Sequence, residues 1–282
     1  MTRRALVLSF AALPLAARAP RAEEPVFTGA VTQGGLVTGR VAPGSTVEYE
    51  GRRLPLLPDG RFLLGFGRDA AAEARIAVTG PDGRRRVYSL AVARRRWPID
   101  RIEGLPPKLV TPGPEELKRI ATEAALIRAA RARITPEALF DSGFAWPAVA
   151  RISGVYGSQR ILNGEPRAPH LGVDIAAPRG TPAQAPADAI VSLAEPDLYF
   201  TGGTTILDHG YGLSSVFAHQ EAVLVKVGQR VKQGEAVGRV GATGRATGPH
   251  LHWGVYLFAT ALDPQLLVPP MPAAPAVAGT AP

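Results

Sequence analysis

His170-Leu171-Gly172-Val173-Asp174 and His250-Leu251-His252 are the segments of this chain best suited to chemistry. All five histidines (His170, His209, His219, His250 and His252) fall between them, and the first 169 residues hold none. Imidazole and carboxylate are ligands that zinc accepts, and three protein ligands plus water make a catalytic rather than a structural site. On a strand, alternate side chains share a face, so His250 and His252 point into one cleft while Leu251 and Trp253 point behind it. His170 and Asp174 stand four apart in an extended, Gly-containing segment and share a face too. A sheet that joins the two segments can offer two imidazoles and one carboxylate to a single ion. Zinc lowers the pKa of bound water to about 7 and polarises a carbonyl under attack. Such a site still needs a base or an oxyanion donor, a part open to the remaining histidine of the pair and one other. His219 ends the apolar run Val216-Phe217-Ala218 and is grouped with the site. His209 stands at the turn before Gly210-Tyr211-Gly212 and is assigned a structural hydrogen-bonding role.

The elements that must position these groups are mostly strands. Gly 31 and Pro 27 in 282 residues suit a strand-and-turn protein, and 46% hydrophobic content suits a real core. The fold class expected is mainly β: an antiparallel split β-sheet domain, preceded by a small β-sandwich-like domain and one linking helix. Residues 1–22 read as a secretory signal peptide, with Arg3 and Arg4, an apolar run from Ala5 to Ala17 too short to span a bilayer, and small residues after it. Residues 23–97 read as the small β domain, because short apolar runs alternate with turns at Pro43-Gly44, Pro58-Asp59-Gly60 and Pro81-Asp82-Gly83. Six or seven strands are expected there. Residues 98–143 are a proline-rich linker and a helix over 115–134, whose stripe is Leu117, Ile120, Ala121, Ala124 and Ile127. That helix is expected to cross the back of a sheet or to bridge the domains. Residues 144–268 hold strands over 149–156, 188–194, 203–208, 213–218, 222–227, 236–240 and 251–258. The Ala- and Pro-rich tail, 269–282, is expected to be disordered.

Composition narrows the chemistry further. The absence of cysteine rules out disulfides, thiolate zinc ligands, a thiol nucleophile and a lipidated cysteine. The net charge of +8 falls to about +4 once Arg3, Arg4, Arg18 and Arg21 leave with the signal. The arginine runs at 84–86 and 94–96 read as solvated strand edges, and export argues against nucleic acid as a partner. The mature chain is expected outside the cytoplasm, most naturally in a periplasm, as a monomer without stable membrane insertion.

From Phe144 to Asp263 the chain resembles the lysostaphin/LytM-type zinc endopeptidases. The resemblance rests on Phe144-Ala145-Trp146-Pro147, Gly157-Ser158-Gln159-Arg160, Asn163-Gly164 and the run from His170 to Pro182. It continues through His209-Gly210-Tyr211-Gly212, Phe217-Ala218-His219, Gly234 and Thr243 to His252. It implies one Zn2+ on His170, Asp174 and His252, catalytic roles for His219 and His250, and a groove whose substrate is peptidoglycan. It places Arg160 and Asn163 near that groove as substrate contacts. Trp253 stands where Phe is common and Gly254 where Glu is often seen. The implied activity is hydrolysis of peptide bonds in stems or cross-links. The alternative is an inactive relative that activates an amidase by protein contact. Such regulators lose metal or catalytic residues, and all five positions are present here. Domain order also raises the reading that the N-terminal domain lies over the groove and silences the enzyme.

Overall fold

A computed structural model describes residues 24–273. The expected signal peptide lies outside the described residues, as does the expected tail beyond residue 273.

The amino-terminal residues form two facing sheets. One has the order β1 (Val26–Gly29), β2 (Leu36–Arg40), β5 (Arg61–Gly65); the other β4 (Arg52–Arg53), β3 (Thr46–Tyr49), β6 (Glu73–Thr79), β7 (Arg85–Ala91). The expected alternation holds, and inward residues of both sheets, Val37, Phe62 and Leu64 against Val47, Ile76 and Val78, make one core. This module does not float free. Leu57 and Leu63 reach into the core of the large carboxy-terminal sheet, and Arg61 binds Asp141 through two hydrogen bonds of 2.7 Å.

The connecting residues contain structure that proline content alone concealed. After β8 (Ile99–Ile102) come a short α1 (Pro107–Val110) and the long α2 (Pro114–Arg131). Pro114 in the first turn costs nothing, since its missing N–H would have no partner, and Glu115 and Glu116 suit the positive end. Only part of the expected stripe packs. Leu117 is 53% exposed, and contact comes from Ala130 and Ile127, which lie on Leu193, Leu198, Ile206 and Val216 across the back of the main sheet. Polar contacts hold it further up, where Arg119 Nη2 donates to Asp197 O at 2.8 Å and Glu123 Oε2 accepts from Tyr199 N at 2.7 Å, while Ile120 and Ala124 are half-buried.

The main sheet runs β17 (Arg230–Val231), β14 (Ala189–Leu198), β15 (Gly202–Gly210), β16 (Leu213–Val223), β19 (Leu251–Leu257), β12 (Val173–Ile175), β9 (Ile152–Gly154). These pairings are antiparallel. Two short strands, β13 (Pro182–Gln184) and β18 (Ala236–Val240), pair with each other and join at β16, and β20 (Thr260–Leu262) pairs with β19. Val191, Leu207, Phe217 and Trp253 are fully buried in its core. The strand expected at 222–227 is absent as a separate element, because β16 continues to Val223 and a loop follows. A fourth, small sheet has the order β11 (Glu165–Pro166), β10 (Gln159–Leu162), β8, in which β8 and β10 are parallel. Through it the linker is bound to the edge of the histidine-bearing domain.

Candidate metal centre

Strand register brings the widely separated candidate ligands together. Asp174 on β12 and His252 on β19 are direct cross-strand partners, and Ala218 on β16 stands on the other side of His252. His170 precedes β12, and its ring folds back to the same point. The atoms His170 Nε2, His252 Nδ1 and Asp174 Oδ1 form a triangle with sides of 2.9, 2.9 and 3.0 Å. His170 Nδ1 lies 3.1 Å from the carbonyl of Val155, which can only accept, so the ring proton sits there and Nε2 presents a lone pair. Three electron-rich atoms so close invite a cation. A tetrahedral zinc shell, with ligands about 2.0–2.1 Å from the ion, spaces them about 3.4 Å apart, so a small spreading of the triangle would accept one. The donor set of two imidazoles and one carboxylate therefore fits the expected ion.

The surroundings keep each ligand in place. Asp174 uses only Oδ1 in the triangle, while Oδ2 accepts a hydrogen bond of 2.9 Å from Arg160 Nη2. Burial alone would raise the Asp174 carboxyl, but the close His170 and His252 rings carry it well below the usual range. Burial pushes His252 down as well, against the pull of Asp174. Gly172 is required for close approach: a Cβ there would stand 2.7 Å from the His252 ring and 2.6 Å from the Trp253 carbonyl. Gly154 plays the same part for Asp174, whose Oδ2 a Cβ would meet at 2.6 Å.

His219 and His250 border the triangle as a pair, with ring centroids 4.7 Å apart. Their Nδ1 atoms face backbone carbonyls, Thr243 O at 2.8 Å and Gly248 O at 2.9 Å. In the neutral rings both Nε2 atoms are thus acceptors, and His250 Nε2 lies 3.8 Å from Asp174 Oδ1. His219 has φ 63, a left-handed conformation rare in a β-strand. It sits where β16 bulges against β15, between the pairs Gly203–Gln220 and Thr205–Phe217. Such bulges re-aim a side chain, which is how a residue after the inward Phe217 comes to border the site. Burial, then the neighbouring His250 and His252, lower the His219 pKa to about 3, so its ring is neutral at any ordinary pH.

His209 is elsewhere. Its Nδ1 meets Asp188 O at 2.9 Å and its Nε2 meets Ser215 Oγ at 2.8 Å, so the fully buried ring ties two strands together. Ser215 Oγ also accepts from the Trp253 indole at 3.2 Å, so His209 steadies the strand behind His252.

Arg160 and Asn163 part company. Arg160 lines the cavity above the triangle, and its Nε is buried without an acceptor. Asn163 does not face the groove. Its carboxamide donates to Leu105 O at 2.7 Å and accepts from Leu105 N at 3.1 Å, and with Gly164 it forms the turn between β10 and β11. Both residues have positive φ, 48 and 81. Asn-Gly between two short runs is a strong hairpin signal that pointed to this structural use. Arg245 was not assigned, although it lies within Thr243-Gly244-Arg245. It lines the same cavity, stacks 4.3 Å from the Phe200 ring centre, and is lowered to about 10 by burial and then by Arg160 and Arg167.

The cavity measures only 60 Å³, room for about two waters at ~30 Å³ each. Ile102 and Leu105 of the linker line it; no residue of the amino-terminal module does. The linker is held there by Leu105, Val110 and Leu162, which pack together, by Asn163, and by Arg167, whose Nη2 donates to Val110 O at 3.0 Å.

The profile of Peptidase family M23 matches residues 168–264. Peptidoglycan DD-endopeptidase ShyA of Vibrio cholerae is 38% identical over 104 residues, 36% of this chain and 24% of that protein. DD-carboxypeptidase/endopeptidase Mpg of Neisseria meningitidis is 36% identical over 103 residues, again 36% and 24%. The matches thus span about a quarter of the length of these curated relatives. A crystal structure of a Pseudomonas aeruginosa protein described as a peptidase M23 superposes with TM-score 0.65 and 30% identity, covering 84% of this chain and 94% of that one. With a family profile over its histidine segments and a relative matched across nearly that relative's whole length, the chain belongs to peptidase family M23.

Proposed function

We propose that the chain is an exported zinc-dependent endopeptidase that hydrolyses peptide bonds of peptidoglycan. The observation that carries this is the triangle of His170, Asp174 and His252 with a pair of imidazoles at its rim. Zinc held by the three ligands supplies Lewis-acid activation of a carbonyl and of water at neutral pH. The chain's own groups do the rest. A neutral imidazole of the His219–His250 pair accepts a proton from the attacking water at Nε2. The N–H so formed turns that atom into a donor, which steadies the oxyanion and then delivers the proton to the departing amine. Arg160 occupies the second oxygen of Asp174, which would leave Oδ1 to hold the ion.

Arg160 and Arg245 bring two guanidinium groups to one small cavity, and only one carboxylate, Asp174, lines it with them. A substrate bearing its own carboxylate beside the scissile bond would complete the charge balance. This favours a D-Ala to diamino acid bond over a neutral glycine bridge, in keeping with the relatives named as DD-endopeptidases. The linker narrows the site, since Ile102 and Leu105 line its cavity. Ile102 and Leu105, rather than the amino-terminal module, are the residues that shield it. Export rests on the leader-like residues 1–22 and on the wall enzymes among the relatives. Among the described residues, no helix is long and apolar enough to cross a membrane. Nothing in the site favours the inactive-regulator reading, because all five expected positions converge.

The test is digestion of purified wall sacculi with and without a zinc chelator, with products read by mass. Chelator-sensitive release of cleaved cross-links is expected. Intact sacculi at full zinc occupancy, with the linker cleaved or displaced, would remove the proposal and leave the regulator.

A further inference from the structure

A second cavity lies away from the histidine cluster, where the seam between the amino-terminal module and the main sheet meets the end of α2. It measures 440 Å³, within the range of small-ligand sites, about 300–1,000 Å³. Four arginines line it: Arg52 and Arg53 of β4, and Arg128 and Arg131 of the last turn of α2. Phe258 and Ile134 supply an apolar wall.

Two features separate this cluster from an ordinary basic surface. Several arginines elsewhere have carboxylate partners, as Arg61 has Asp59 and Asp141, Arg119 has Glu123 and Asp197, and Arg230 has Glu137. Among the described residues, none of the four has a carboxylate within ion-pairing distance. The negative end of α2 accounts for Arg128 and Arg131. It does not account for Arg52 and Arg53, which come from a separate module and face the same space. The second feature is that two of the forks are held. Arg52 stacks 4.7 Å from the Phe258 ring centre and Arg131 4.2 Å from that of Tyr256, and Arg131 Nε is buried with no acceptor. A buried donor without a partner is costly, and a fixed guanidinium loses little entropy when an oxyanion arrives.

We propose that this cleft binds a phosphate ester, with a phosphoryl or pyrophosphoryl group in the arginine forks and its organic carrier against Phe258 and Ile134. Phosphoryl oxygens match the fork geometry and can answer several guanidinium groups at once, which a single carboxylate with two oxygens cannot. The site is independent of the peptidase reading, and neither depends on the other. The phosphate could belong to a soluble molecule or to a lipid headgroup.

The test is calorimetric titration of the full chain with sodium pyrophosphate at physiological ionic strength. A parallel arm measures cosedimentation with phosphatidylcholine vesicles with and without phosphatidylglycerol. Saturable binding of pyrophosphate, of the anionic vesicles or of both is expected. Binding should weaken by at least about tenfold in Arg52→Gln/Arg53→Gln, whose side chains are exposed, and also in Arg128→Gln on the other wall. The control pair Arg84→Gln/Arg86→Gln removes the same charge outside the cleft and should bind as wild type does. Melting curves without ligand establish that each variant folds. Binding to vesicles alone assigns the phosphate to a lipid headgroup; binding to pyrophosphate alone assigns it to a soluble molecule. The proposal is overturned if neither probe binds saturably, if the control pair loses as much, or if both cleft variants bind like wild type.

Discussion

Asp174 and His252 stand directly opposite one another on β12 and β19, with Oδ1 2.9 Å from Nδ1. One register step in either strand would send the two side chains to opposite faces. The ladder therefore sets the spacing of two proposed ligands before any ion is bound. Loss of either should remove the metal. Asp174→Asn and His252→Ala are each expected to purify without zinc and to leave sacculi uncut, as read by metal analysis and product mass.

Arg160 acts on the same carboxylate from behind. Arg160→Gln should fold and still bind zinc, with affinity about 10–100-fold lower, the usual loss when a ligand's supporting partner goes. Competition with a chelator of known affinity measures it. Unchanged affinity would show that the 2.9 Å contact to Oδ2 contributes nothing to the site.

His219 and His250 are expected to separate binding from turnover. His219→Ala and His250→Ala should retain zinc and lose cleavage by about 10²–10⁴-fold, the range for a general base or acid. A variant that lost zinc as well would belong with the ligands instead.

The linker's hold on the cavity can be broken at one residue. Leu105 is buried beside Val110 and Leu162. Leu105→Asp places a charge in that cluster and should free the roof. Cleavage of a soluble muropeptide dimer is expected to rise, while deletion of 23–97 alone, which leaves Ile102 and Leu105 in the chain, should raise it less. Equal rates in wild type and Leu105→Asp would show that the linker does not limit access.

His209 makes stability depend on pH. Burial lowers its pKa from the ordinary 6.5 to about 4. Below pH 6.5 the unfolded chain takes up a proton that the folded chain refuses until about pH 4. Its contribution is thus complete above 6.5 and is lost as pH falls to about 4, some 3 kcal/mol in all at about 1.4 kcal/mol per pH unit. His209→Gln should be less stable at neutral pH and should lack this part of the slope between pH 6.5 and 4 in denaturant titrations.

Gly172→Ala tests close approach. Its Cβ would meet the His252 ring at 2.7 Å. A loss of roughly 1–3 kcal/mol in stability is expected from overpacking, with weaker zinc binding because the displaced ring is a proposed ligand.

Much of this was legible in the chain itself. The clustering of histidines, the two-residue spacing of His250 and His252 and the Pro- and Gly-marked turns express local rules: alternation on a strand and the turn chemistry of glycine. Those rules sufficed for the β class, for the inward Leu251 and Trp253, and for the segments that converge. They failed where distant parts decide. The stripe on α2 looked apolar enough to bury, yet Leu117 stays exposed and the apolar contact with the sheet comes from Ile127 and Ala130 near the end of the helix. Asn163 belonged to a motif, but its partner is Leu105, 58 positions away. β8 was hidden in a proline-rich stretch because its strand character comes from pairing with β10. The aim of His219 comes from a bulge, which no local pattern announces. Residue types and their periods thus specified which chemistry could occur. Register, bulges and long-range pairing, whose energies exist only between segments far apart in the chain, decided where each group stands and what covers it.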